Sequence, residues 1–273
     1  MKNIWTITVF TLREAMARKV FITFVAISVL VLLIMALIFG MTDSVSILSN
    51  LQKGSGDASM GNIINGLELL IVAPLTGLGL LLAIFASASF IPVMLEKGNI
   101  DLLLSKPVSR VQLLLGKYFG GLLVVFLNLA FLILGVWLII SLKFSVWDPK
   151  FLTTIITVTF TFAVLYSMIV LFGVLTKNST FGMMMAYLIF LILSPGLSAL
   201  NGRLGLLISS DFWKAVIKGL YYIIPNTSDL MGSVTIGLAT GRGIESYTPI
   251  WTSFLFLLVM IGASLQVFGK KDF

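Results

Sequence analysis

The densest run of metal-competent side chains is Met183, Met184 and Met185, and thioethers favour Cu(I). Successive residues on a helix point about 100° apart, so the three cannot converge on one ion. Flexible packing is the expected role. Cysteine and histidine are absent from all 273 residues. Their absence removes disulfides and thiolate sites, the usual imidazole ligands of zinc and the base of Ser-His-Asp and Cys-His arrangements. Gly56 and Gly61 have the separation of a phosphate-binding loop, but Asn62 and Ile63 stand where Lys and then Ser or Thr are needed. Gly116-Lys117 and Gly269-Lys270 lack the upstream glycine. The chain is expected to bind neither nucleotide nor another cofactor and to have no catalytic site.

The most specific pattern lies in residues 96–117. Asn99 or Asp101 can cap a short helix there, and Ile100, Leu103 and Leu104 share its face at i, i+3 and i+4. Pro107 stops that helix. Ser109 and Gln112 then read as a capping box opening the next helix, each side chain taking an amide of the other residue. Glu96, Lys97 and Asp101 give the short helix charged edges. Two roles fit an apolar-faced helix of this kind: docking into a partner, or resting on lipid headgroups.

Lipid is the solvent that positions these residues. The chain is 59% hydrophobic and 11% charged, against about 25% charged in an average soluble domain. Six stretches without a charge, 20–42, 69–95, 118–142, 151–176, 178–202 and 246–269, each exceed the ~20 residues a helix needs to span ~30 Å of hydrocarbon. They do not alternate as barrel strands would. The expected fold is an all-α polytopic membrane protein with six transmembrane helices, in one transmembrane domain over 1–273. The first stretch is too long for a signal peptide and lacks a small-residue cleavage site. Residues 1–19 are amphipathic, with Trp5, Val9, Leu12 and Met16 on one face and Lys2, Thr6 and Arg13 on another, which suits an interfacial helix. A plain extension of the first span is the alternative. Residues 43–67 form a polar Gly- and Ser-containing loop. Residues 203–245 contain Leu204 to Ser209, too short to span, then a helix from Asp211 to Ile224 and a second beginning near Asp229. They read as outer-face or re-entrant helices, with a hidden pair of spans as the alternative.

Charge sets the orientation. Lys2, Arg13, Arg18, Lys19, Lys97, Lys106, Arg110, Lys117, Lys177, Lys270 and Lys271 fall on one side, while the short loops opposite hold Lys53, Lys143 and Lys150. Basic residues favour the cytoplasm, so both termini are expected inside the cell membrane. The net charge of +7 then reflects loops near anionic lipid, and no dense basic patch points to nucleic acid. The six stretches hold no Asp, Glu or Lys; Glu68 and Glu96 stand at their edges. Proton-coupled carriers commonly keep such groups inside their spans.

Glu96-Lys97-Gly98, then Asp101-Leu102-Leu103-Leu104-Ser105, Pro107-Val108-Ser109-Arg110 and Leu114-Leu115-Gly116-Lys117, resemble the cytoplasmic loop of ATP-binding-cassette (ABC) exporter permeases of the type-2 class. The closest resemblance is to the multicopper-enzyme maturation branch. It extends to the N-terminal helix, the six spans, the stretch Leu220-Tyr221-Tyr222-Ile223-Ile224-Pro225-Asn226 and the Lys270-Lys271-Asp272-Phe273 ending. The resemblance implies that 96–107 is a coupling helix docking on a cytoplasmic ABC ATPase subunit. The coupling residues would be Glu96, Lys97, Gly98, Ile100, Asp101, Leu103, Leu104, Pro107, Ser109 and Arg110. It also implies a second permease copy or paralogue, with ATP and Mg on the partner ATPase. A gradient-driven carrier or channel, or a membrane scaffold without transport, are the alternatives. Strict dependence on an ATPase separates them from the first reading.

Overall fold

The computed structural model describes residues 2–17, 19–41, 74, 76–105, 108–202 and 210–271. The expected loop at 43–67, the start of the second stretch, Leu204 to Ser209, Lys106, Pro107 and the last two residues lie outside the described residues. So do the side chains of Leu102, Leu103 and Leu104. Everything described is helix, turn or coil, with no strand among the described residues. Six described helices are long and apolar enough to cross a membrane.

The chain opens with α1 (Lys2–Met16) and α2 (Lys19–Met41). The second span, α3 (Thr76–Met94), breaks its helical pattern at Ala88 and Ser89 and ends in the turn that leads to the short helix α4 (Asn99–Leu104). Then come α5 (Arg110–Phe144), α6 (Thr153–Thr176) and α7 (Ser179–Asn201). Next are α8 (Asp211–Ile223), a helical run α9 over residues 227–239, and the last span α10 (Thr248–Lys270). Wider π turns interrupt α7 at Ile189–Leu193 and α9 at Leu230–Val234.

The third span is longer than its charge-free stretch. Helix α5 starts at Arg110 rather than near Tyr118, because the box at Ser109 launches it early. Those eight extra residues lengthen the helix by roughly 12 Å beyond the charge-free stretch. The fourth and fifth stretches meet at a tight reversal. Lys177, at φ 54°, donates its amide to the Gly173 carbonyl, and the Asn178 side chain accepts from the Thr180 amide at 2.8 Å. This left-handed residue is why one lysine separates two spans.

Helix α6 is the hub of the bundle. Phe162, Tyr166, Leu165, Ile169 and Val170 are buried along it. Tyr166 stacks between Tyr118, at a ring separation of 5.4 Å, and Phe162, at 5.2 Å. A Cβ on Gly121 would overlap the Tyr166 ring, so only glycine lets α5 and α6 approach there.

The same device seats the N-terminal helix. Thr8, Thr11 and Ala15 are buried against α5, whereas Trp5, Phe10 and Met16 stay exposed. A side chain at Gly116 would lie 2.6 Å from Ile7, and one at Gly120 would overlap Thr11. Small residues four apart let two helices approach closely, as in membrane helix pairs. Helix α1 is therefore docked on α5 by its small-residue face. Of the apolar face read from Trp5, Val9, Leu12 and Met16, Trp5 and Met16 are exposed, Val9 is half-buried and Leu12 packs against the core. Gly120→Leu should lever α1 away at about 1–3 kcal/mol, the usual cost of overpacking. Faster proteolysis of residues 2–16 in the purified protein checks this, and unchanged protection would count against the seam.

Between α7 and α10 lie α8 and α9, joined by a short turn. Ser210 sits at the α8 N-cap position without a side-chain capping bond, and Pro225 follows the helix end. The run 227–239 begins at Thr227, two residues before the expected Asp229. Pro225, Asn226 and Thr227 at that turn are buried. Asp229 accepts hydrogen bonds from Ser198 at 2.6 Å and from Tyr221 at 2.7 Å, tying α9 to α7 and to α8. Burial, with the Asp229 carboxylate adding to it, pushes the Tyr221 hydroxyl up and keeps it a donor.

Candidate functional site: a charged turn rooted in the bundle

The turn between α3 and α5 is built by local rules. Gly98 occupies the α4 N-cap at φ 90°, a left-handed conformation that glycine adopts without strain. Its amide donates to the Asp101 carboxylate at 3.3 Å. Asn99, one of the two expected caps, is the first helical residue; its side-chain amide donates back to the Val93 carbonyl at 3.0 Å. The Glu96 carbonyl accepts from the amides of Asn99 and Ile100. The bond from Asn99 to Val93 folds the turn back onto the end of α3.

Ile100 corrects the sequence expectation. The i, i+3, i+4 pattern marks a face without saying which way it points. Ile100 is 2% exposed and belongs to the main core with Met94 and Leu95. It roots α4 in the bundle and is not a contact offered to a partner. Glu96, Lys97, Gly98 and Asp101 are exposed, so the outward surface of the described turn is polar.

Ser109 and Gln112 form the expected reciprocal box. The Ser109 hydroxyl accepts from the Gln112 amide and the Ser109 amide donates to Gln112 Oε1, both at 3.2 Å. Asn3 also donates to Gln112 Oε1 at 3.4 Å, which brings α1 to the same corner.

Arg110 has a role that its sequence position conceals. Its Nη1 donates to the carbonyls of Phe268, Gly269 and Lys271 at 3.4, 3.1 and 2.7 Å. These carbonyls lie at the end of α10, and a cation suits the negative end of the helix. Lys271 repeats the arrangement one helix further. Its ammonium donates to the Val174 and Leu175 carbonyls at 2.6 and 3.2 Å, at the end of α6. Burial, then the nearby Lys177 charge, lower its pKa. The starts and ends of α5, α10 and α6 are thus clamped in series beside the charged turn.

Lys117 completes this end. It is 3% exposed and pairs with Glu14 at 2.6 Å, tying α1 to α5. No sequence pattern announced that pair. Met183 and Met185 pack against the core while Met184 is exposed on α7, so the three methionines diverge.

No curated protein matches the chain. The family model described as ABC-2 family transporter protein matches residues 5–273, and with nearly its whole length matched the chain belongs to that family of membrane transporter permeases.

Proposed function

We propose that this chain is the membrane half of an exporter driven by a separate cytoplasmic ABC ATPase, and that the turn 96–107 receives the drive. The observation that carries the reading is the rooting of that turn. Glu96, Lys97 and Asp101 face outward, Ile100 fixes the short helix in the core, and Arg110 and Lys271 lock the adjoining helix ends together. Force applied to the turn reaches α5 through the connection at 105–109, then α10 and α6 through the two clamps. The exposed charges set register on the ATPase, because polar contacts decide specificity more than affinity. ATP and Mg belong to that partner.

The loop charges put this end, and with it both termini, in the cytoplasm. Segment 210–239 then lies on the outer half. Two copies, or this chain and a paralogue, form the pathway, as the family resemblance suggests. Kinship to the copper-enzyme branch rests on the loop motif, and the diverging methionines give copper no common site.

The test is reconstitution with a co-expressed cognate ATPase. Changing Glu96→Lys together with Asp101→Lys should leave six folded spans and a complex that still purifies. The permease-dependent change in hydrolysis should fall by about tenfold, within the usual range of coupling energies. Unaltered permease-dependent hydrolysis in the double variant would remove the turn from the mechanism.

A further inference from the structure

We infer that α8 lies flat on the bilayer at the end opposite the charged turn, with Phe212, Trp213, Leu220 and Ile223 sunk among the lipid chains just below the headgroups. Its level follows from its neighbours. Helix α7 starts beside the Lys177 reversal, at the clamped end, and spans to Asn201. Asp229 accepts from Ser198, one turn before Asn201, and from Tyr221 of α8. Helix α8 is thereby held where the span ends. Tyr247 and Trp251, both exposed at the start of α10, mark the same end, and such rings favour the headgroup layer. This placement depends neither on an ATPase nor on which side of the membrane is cytoplasmic.

Three sides of α8 differ in kind. At about 100° per residue, Phe212, Trp213, Val216, Leu220 and Ile223 share an arc of roughly 100°. Phe212 and Ile223 are 67% and 69% exposed, and Trp213 and Leu220 are exposed with them. Ile217 and Tyr221 occupy the next side and are half-buried, Tyr221 where it reaches Asp229. Lys214 and Lys218 follow, roughly opposite the apolar arc, and Lys214 pairs with Asp211 at 3.6 Å. An interfacial helix resting against the flank of a bundle needs this order: lipid below, protein beside, water above.

A plug inside the bundle would bury one face of the helix, and no residue of α8 is buried. Water is a poor neighbour for four large apolar side chains in one arc. Lipid is the occupant that the surroundings supply. Helix α8 touches α7 and α10, and these spans present Ile192 and Trp251 outward. The apolar arc continues that lipid-facing surface. Lys214 is already paired, and Lys218 is the one other cation on the helix. The hold is therefore apolar and needs no anionic lipid.

The chain has no cysteine, so a nitroxide can be placed at one position of the full protein without background. Leu220→Cys, Ile223→Cys, Lys214→Cys and Lys218→Cys are labelled in nanodiscs of phosphatidylcholine. All four positions are exposed, so the label leaves the packing intact. Leu258→Cys on α10 serves as the lipid reference and Glu245→Cys as the water reference. Relaxation by oxygen, which concentrates in lipid, is compared with relaxation by a water-soluble nickel complex. Oxygen should dominate at 220 and 223, as at 258, and the order should reverse at 214 and 218, as at 245. One reagent dominating at all four positions would overturn the inference, nickel by placing the helix in water and oxygen by submerging it whole. Shielding of 220 and 223 from both reagents would overturn it too, because the face would then lie against protein, a second copy included.

Discussion

Glu14→Gln should destabilise the protein by about 3 kcal/mol, the lower end of what stranding one partner of a buried ion pair costs. The Lys117 side chain is 4% exposed and its ammonium lies 2.6 Å from the Glu14 carboxylate. Glutamine keeps the shape and removes the charge. The ammonium then keeps a neutral amide oxygen and the ring of Phe10, 5.8 Å away, which together compensate weakly for the missing carboxylate charge. The Glu14 side chain is 31% exposed, so water relieves part of the loss and the lower end of the range applies. Replacing both partners, Glu14→Leu with Lys117→Met, should recover most of the stability, because no charge is left buried. Chemical denaturation of the purified protein, followed through helix loss, supplies the comparison. Strict additivity of the two single substitutions would show that the pair is not coupled.

That ion pair shows where reading the sequence runs out. Lys117 was legible as part of a loop motif and as a basic residue on one side of the membrane. Its partner lies 103 positions earlier, on a helix docked through Thr8, Thr11 and Ala15. Hydrophobic pattern finds the lipid-facing side of such a helix and misses the side that packs by closeness. Gly116 and Gly120 carried the signal, since small residues four apart mark close helix approach. By contrast, the Ser109–Gln112 box was legible in full, because both its bonds close within four residues. The spans were legible too, since lipid forces their length and composition together. Ile100 marks the limit of periodicity: spacing identified a shared face, and only the packed structure shows that Ile100 turns inward.

Arg110→Met should loosen the end of the last span without unfolding the bundle. The substitution removes three charge-assisted bonds to the carbonyls of Phe268, Gly269 and Lys271 while keeping an unbranched apolar stem. Bonds of this class are worth about 1.5–3 kcal/mol. Here solvent near the helix end takes up part of the loss, so about 2 kcal/mol is expected locally. The last turn of α10 then frays, and Lys271, displaced from the Val174 and Leu175 carbonyls, releases α6 as well. Hydrogen exchange should therefore quicken by about tenfold or more in residues 266–271. A smaller rise should follow in residues 173–177, and none in the middle of α5. Arg110→Lys should rescue little, because the ammonium on its shorter stem does not reach the position that Nη1 holds among the three carbonyls. In the reconstituted complex the same variant should keep ATPase binding, since Glu96, Lys97 and Asp101 are untouched, yet lose most permease-dependent control of hydrolysis. Slow exchange at 266–271 in Arg110→Met would mean that the clamp is not what holds the helix ends together, and force on the turn would need another path into the spans.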